Sequence, residues 1–277
     1  MNYRHAYHAG NFADVVKHVV LVGILLHLRR KEAPFRVIDT HAGRGIYDLA
    51  GEAAARTGEA NEGIKRLDDL MPGETLPEAL SAYLRIVRTF GPDRYPGSPL
   101  IAAQLLREKD RLIAIESIPE EEAALRRTLA HVPNAKSQCA DGYARLASLL
   151  PPPERRGLVL IDPPYEAENE FARVAEMLSM ARKRFATGLY LVWYPIKSMA
   201  NSDALRGEAR AGGTQDLLHI VADVGSDPRD DKDRLSAAGL LIINPPYGIA
   251  EEMRAVAQIL GGKLGRGRVA NFSVDNS

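Results

Sequence analysis

The hydrophobic pattern opens with an apolar stretch over residues 15–28, broken by Lys17, His18 and His27, which predicts an amphipathic helix. Residues 35–39 form a short apolar run closed by Asp39 and followed by glycines, the pattern of a buried strand ending in a tight turn. The same pattern returns at 112–116, in the segment running into Asp141, and at 158–162. Each of these ends in a carboxylate, and helical stretches such as 120–129 separate them. Strands that alternate with helices predict an α/β fold, with a parallel sheet covered on both faces. Further strands are predicted at 188–194, 217–224 and 239–244, with a helix over 171–185. The expected sheet therefore has about seven, mostly parallel strands.

Between the first two strands, residues 46–109 are far more than a crossover needs. Its stretches 63–70 and 76–90 look helical, so this region is expected to be a small helical subdomain inserted into a single domain spanning 1–277. No internal repeat or low-complexity tract interrupts the pattern.

Composition narrows the picture. With 277 residues, 45% apolar and 26% charged, the chain can bury one large core. Its single cysteine, Cys139, excludes an intrachain disulfide and a cysteine metal cluster, and suits a reducing cytoplasm. The apolar stretch 15–28 is too short and too charged for a membrane span or signal peptide, so a cytoplasmic protein, expected to be monomeric, is predicted. His5 and His8 share a helical spacing without accompanying acids, and no metal site is expected. The 36 basic and 36 acidic residues cancel, so no global positive field draws the chain to nucleic acid, and any such contact has to be local. Basic residues do cluster at Arg29, Arg30, Lys31; Arg107, Lys109, Arg111; Arg182, Lys183, Arg184; and Lys263, Arg266, Arg268. Each cluster, taken alone, reads as solvated surface.

The first strand is followed by Thr40, His41, Ala42, Gly43, Arg44 and Gly45, a turn that lets a cofactor approach the backbone. A dinucleotide site would want a third glycine where Asp48 stands, which argues against NAD. S-adenosylmethionine has no phosphate; its ammonium, sulfonium and ribose diol suit carboxylates. Asp39, Glu116 and Asp141 stand at the strand ends where such partners are needed. Glu116 is placed to accept the ribose hydroxyls, and Asp141 with Gly142 to receive the adenine. Any one of these acids alone reads equally as a cap on the following turn.

Asp162, Pro163, Pro164 and Tyr165 close the apolar run 158–161. The exocyclic amine of adenine is a poor nucleophile because its lone pair is delocalised, and two acceptors for its two hydrogens help it become tetrahedral. The Asp162 carboxylate and the Pro163 carbonyl are such a pair. The prolines stiffen the turn and remove competing donors, and Tyr165 offers a face for a base taken out of its stack. The competing reading is a proline-rich turn that merely ends a strand. A second sequence, Asn244, Pro245, Pro246, Tyr247, can make the same hydrogen bonds. Position in the series of strand ends favours Asp162, and the second copy reads as a structural turn.

Tyr3, Arg4, His5, Ala6, Tyr7, His8, Ala9, Gly10 and Asn11, followed by Ala13, Asp14, Val15, Lys17 and His18, resemble the start of the RlmJ family. The glycine turn, the segment 95–100, the Asp162 tetrapeptide and Trp193, Tyr194, Pro195 extend the resemblance over nearly the whole chain. It weakens beyond Asn244. The resemblance implies a Rossmann-like S-adenosylmethionine-dependent methyltransferase that modifies the N6 amine of an adenine in 23S ribosomal RNA. It further implies that Lys17, His18, His41, Ser98, Glu116, Asp141, Gly142 and Asp162 belong to the cofactor site, that Asp162 is catalytic, and that Tyr3 touches the RNA. From pattern alone His18 reads as an ordinary helix residue and Ser98 as a loop constituent. Arg4 adds positive charge beside Tyr3, and Tyr165 completes the expected RNA contacts.

Three other readings share parts of this pattern. A DNA adenine methyltransferase would use the same tetrapeptide, but no groove-reading helix-turn-helix is visible. A protein glutamine methyltransferase would use the Asn244 sequence. A noncatalytic RNA-binding assembly factor would keep the fold without needing Asp162.

Overall fold

A computed structural model describes residues 7–73, 75–197, 199–211, 216–225, 234–266 and 270–276. Tyr3, Arg4, His5 and Arg268 lie outside the described residues.

Helix α1 (Phe12–Arg29) starts where Asn11 caps it, its side chain accepting from the backbone N–H of Asp14. The amphipathic expectation for this helix is corrected: it is buried on nearly all sides, from Phe12 through Leu25. The sheet lies on one side, and α4 (Glu78–Arg88), α5 (Ser98–Gln104) and α10 (Ile249–Leu264) pack on the others. Its polar residues Asp14, Lys17 and His18 are buried with it, which requires partners for each.

Strands β1 (Arg36–Asp39), β4 (Arg111–Glu116), β5 (Ala135–Cys139), β6 (Gly157–Ile161) and β7 (Leu189–Pro195) run parallel. Strand β9 (Ala237–Ile243) pairs antiparallel with β7 and with β8 (Leu217–Asp223), and β10 (Asn271–Asn276) pairs antiparallel with β8. The order β10-β8-β9-β7-β6-β1-β4-β5 makes an eight-stranded sheet in which only β9 and β10 run against the rest. The eighth strand, β10, is polar and had no apolar run to announce it; of its residues only Val274 is buried. Central strands are buried on both faces, which explains their continuous apolar runs. Alternate residues still feed different cores. Leu158 and Leu160 face α1 and its neighbours, while Val159 and Ile161 face the side of α7 (Gly142–Leu149), α8 (Glu170–Arg184) and α9 (Met199–Ala211).

Residues 46–109 contain β2 (Ile46–Asp48), α2 (Glu52–Thr57), α3 (Glu59–Glu62), a 3-10 turn (Ile64–Leu67), α4, β3 (Arg94–Pro96) and α5. Strands β2 and β3 pair with each other in a separate two-stranded sheet. The helix expected over 63–70 is only the 3-10 turn. Gly63 presses so closely on the backbone of Gly10 that a Cβ there would lie 2.0 Å from its carbonyl oxygen, and Ile64 donates to that same carbonyl. Tying this segment to the chain start leaves no room for a regular helix. Helix α6 (Pro119–Leu129) confirms the helical stretch before β5.

Candidate active site

Strand β1 lies between β4 and β6, so the chain leaves β1 on one side and returns on the other, which opens a crevice at the carboxyl ends of these strands. The cleft there has a volume of about 1240 Å³ and is lined by Lys17, His18, His41, Ser98, Glu116 and Asp162, among others. That exceeds the roughly 300–1,000 Å³ of a small-molecule pocket, leaving space for a second group beside a cofactor.

The glycine turn forms one wall. Gly43 has φ +62°, and a Cβ on it would lie 2.2 Å from the Tyr47 hydroxyl, so glycine is required. Glu116 fixes the turn from β4, accepting the Gly43 N–H at 2.9 Å and the Ile118 N–H at 2.8 Å. Below it, Asp39 is 1% exposed; it accepts from the Ser98 hydroxyl at 2.6 Å and from the His41 N–H at 3.3 Å. Burial pushes its carboxyl up to about 7, against the Ser98 hydrogen bond and helped by the nearby Asp162 charge. Burial also lowers His41, to about 4, so its imidazole is neutral near pH 7. The Thr40 hydroxyl donates to the Leu160 carbonyl and also lies 2.8 Å from His41 Nδ1. With the hydroxyl proton committed, Nδ1 is the donor and Nε2 the acceptor.

Asp162 follows β6 directly. Its Oδ2 receives Lys17 Nζ at 2.5 Å, and the same ammonium reaches Asp14 Oδ1 at 2.8 Å. Burial disfavours the ammonium, but the two carboxylates outweigh it and raise Lys17 above the ordinary lysine range. Asp14 in turn accepts the Gly10 N–H at 3.0 Å. Asp162 Oδ1 has no protein partner among the described residues. Tyr165, at φ +51°, donates its hydroxyl to the Trp193 carbonyl at 2.9 Å, and its ring lies 4.7 Å from that of Phe171 and 5.8 Å from that of Trp193. These contacts fix the plane of the ring beside the tetrapeptide, and burial keeps the phenol neutral. The indole N–H of Trp193 is buried with no protein acceptor among the described residues.

Lys17, His18, His41, Ser98, Glu116, Asp162, Pro163 and Tyr165 thus line one cleft. His18 is held by the Tyr95 hydroxyl, 2.8 Å from its Nδ1, a bond that required β3 and α1 to meet. Asp141 and Gly142 stand just outside that lining, at the start of α7. Asp141 caps the helix by accepting from the Tyr143 N–H, and a Cβ on Gly142 would lie 2.1 Å from the Thr40 carbonyl oxygen. Sequence reasoning missed Asp14 and Trp193 as site residues. Asp14 sits one helical turn before Lys17, which is the signal that could have found it.

Asn244 is on the opposite edge. Because β9 runs antiparallel to β7, Ile243 pairs with Tyr190 near the start of β7. The Asn244 amide donates to the carbonyls of Ala186 and Gly188 at 2.8 and 2.7 Å, a structural clamp remote from the cleft. This removes the glutamine-methylation reading, which depended on Asn244.

The RsmJ family model, described as "Ribosomal RNA large subunit methyltransferase D, RlmJ", matches residues 32–274. The chain belongs to this RlmJ family. Two relatives named "Ribosomal RNA large subunit methyltransferase J" resemble it throughout. The Escherichia coli (strain K12) protein is 40% identical over 95% of this chain and 94% of its own. The Haemophilus influenzae protein is 38% identical over 94% and 92%. A solved Legionella pneumophila structure superposes with TM-score 0.88 at 33% identity, covering 97% of this chain and 98% of that one. A probable spermidine synthase from Corynebacterium glutamicum, at TM-score 0.50 and 12% identity over 97% and 84%, shares the fold alone. Nearly the whole RlmJ chain length is therefore represented here, cleft included.

Proposed function

We propose that this protein transfers the methyl group of S-adenosylmethionine to the N6 amine of an adenine in 23S ribosomal RNA. The observation that carries the reading is Asp162, fixed by the buried Lys17 at the mouth of the cleft in a member of the RlmJ family.

The cleft fits the cofactor. Its lining holds seven Asp or Glu side chains against four Lys or Arg, and Asp39 is buried beneath it with only neutral donors bonded to it. A ligand carrying ammonium and sulfonium charge suits this surplus. Glu116, His41 and Ser98 are the proposed holders, with His18, Lys17, Asp141 and Gly142 completing the set. When bound, S-adenosylmethionine supplies an electrophilic methyl group.

The protein's own groups do the rest. Lys17 occupies one oxygen of Asp162 and holds the carboxylate in place, leaving Oδ1 to accept one amine hydrogen of the adenine. The Pro163 carbonyl accepts the other. Together they would stabilise the positive charge that develops on nitrogen as it takes the methyl group from sulfur, and Asp162 Oδ1 would accept the proton that the nitrogen then loses. Tyr165, locked by Trp193, provides the face against which the flipped base lies. Tyr3 and Arg4, in the segment before the described residues, complete the proposed RNA contact. Segment 46–109 is proposed as an inserted subdomain. The protein is proposed to act as a cytoplasmic monomer; among the described residues no helix is long and apolar enough to cross a membrane.

The test supplies labelled S-adenosylmethionine with protein-free 23S rRNA, duplex DNA or a cell protein extract. Label recovered as N6-methyladenosine in rRNA is the expected result, whereas label only in DNA or protein overturns the assignment.

A further inference from the structure

Three of the four basic clusters in the sequence converge in the fold. The segments leading into parallel strands β1, β4, β6 and β7 all end at the edge of the sheet opposite the cleft. Residues 29–36, 107–111, 154–156 and 182–184, which lie there, carry twelve Lys or Arg and four Asp or Glu, a net +8 in a chain whose total is zero. The segments touch one another. Arg107 donates to the carbonyls of Arg29, Lys31 and Ala33, and Arg156 to those of Leu28 and Ala33. A small depression of about 170 Å³ joins His27, Lys31, Arg156, Thr187 and Pro246. Burial and then the charges of Arg30, Arg156 and Lys31 hold His27 below its ordinary value.

Much of this charge is not neutralised by a neighbouring acid. Arg29, Lys31, Arg155, Arg156, Lys183 and Arg184 have no carboxylate partner within 4.0 Å among the described residues. The fourth cluster differs, since Lys263 pairs with Asp69 and Arg266 with Glu62. Tyr247, which follows the Pro246 of that depression, is 96% exposed, the most exposed large apolar side chain among the described residues. Two prolines precede it, and the Asn244 amide ties the start of the turn to the carbonyls of Ala186 and Gly188.

We infer that this edge is a second RNA-binding surface, on which Lys31, Arg156, Lys183 and Arg184 meet backbone phosphates and Tyr247 stacks on an unpaired base. Closely spaced cations without acidic partners, on the same side of the fold as an exposed ring, match a single-stranded or irregular RNA segment. The length of the sheet separates this edge from Asp162, so the segment bound here is distant from the adenine being methylated. The inference rests on the RNA-methyltransferase reading for its biological meaning, but its binding readout is independent of it.

The test compares the wild-type protein with the triple variant Lys31→Gln, Lys183→Gln, Arg184→Gln and with Tyr247→Ala, after thermal unfolding shows both to be folded. Binding of full-length 23S rRNA is measured across a salt series, and KM and kcat are measured on that RNA and on the shortest segment that is methylated. The triple variant should flatten the salt dependence by about two log units per log unit of salt and raise KM for the long RNA roughly tenfold. Tyr247→Ala should raise it roughly fivefold. In both, kcat and the KM for the short segment should stay at wild-type values. Unchanged binding and salt slope overturn the inference. So does normal binding of naked RNA combined with a loss seen only on protein-containing ribosomal particles, which would make the surface a protein contact. Wild-type protein that binds rRNA but methylates none of it would instead refute the proposed function, while the binding series would still decide this one.

Discussion

Replacing Lys17 with methionine tests the site's internal electrostatics. The Lys17 ammonium lies 2.8 Å from Asp14 and 2.5 Å from Asp162, whose side chains are only 3% and 14% exposed. Lys17→Met keeps the length of the side chain but leaves two carboxylates, one of them fully enclosed, without their cation. Breaking a buried pair on one side costs about 3–5 kcal/mol. For a chain of this size that lowers Tm by roughly 5–9 °C. Adding Asp14→Asn removes one orphaned charge while keeping an acceptor for the Gly10 N–H, and should restore about half of the loss. Turnover should behave differently. Asp162 loses its positioning contact in both variants, so kcat should fall about 100-fold in each and not recover. The wild-type contribution of Lys17 also has a pH signature. Its folded pKa is raised, so the stabilisation is complete below the ordinary lysine pKa of about 10.4 and is lost as pH rises above it. Differential scanning calorimetry from pH 7 to 11, with parallel methyl-transfer assays, reads all of this. A Lys17→Met variant that melts within 2 °C of wild type at pH 7 would refute the reasoning.

Asp39, raised to about 7, makes the folded state lose stability as pH climbs from about 4 to 7, because the folded protein holds the proton that the unfolded chain releases. Asp39→Asn should therefore flatten urea-unfolding free energies over that range, leave the variant more stable than wild type at pH 8 by about 1–4 kcal/mol, and weaken S-adenosylmethionine binding measured by calorimetry. Gly142→Ala should unfold the protein or cost several kcal/mol in chemical denaturation, since the added Cβ would lie 2.1 Å from the Thr40 carbonyl oxygen. Asn244→Ala loses two hydrogen bonds and should lower stability by about 1–3 kcal/mol, with kcat on rRNA unchanged; a large fall in kcat would return the second tetrapeptide to the chemistry.

The sheet was legible wherever burial on both faces made strands continuously apolar, as in β6 and β9. The strand-end acids were legible as a series, since each alone could equally cap a turn, as Asp141 does at the start of α7. What escaped had weak local signals. Strand β10 is polar because it is an edge strand, and β2 and β3 are three residues each. The burial of α1 depended on α4 and α10, distant in sequence, and the environment of Lys17 on Asp162 and Trp193 from two strand ends. The Lys17–Asp162 contact joins residues from opposite halves of the chain, and no spacing announces it. The two copies of the proline tetrapeptide were separable by series position, but the physical reason, the reversed direction of β9, is a property of the fold alone.

The central claim is tested most directly by Asp162→Asn, which keeps the shape and one acceptor of the side chain while removing its charge. Purified wild type and variant are each incubated with S-adenosylmethionine and 23S rRNA, nucleosides are quantified by mass spectrometry, and cofactor binding is followed by calorimetry. The account predicts that the variant binds cofactor within about tenfold of wild type while N6-methyladenosine falls at least 100-fold. Wild-type levels of N6-methyladenosine from the variant would contradict it.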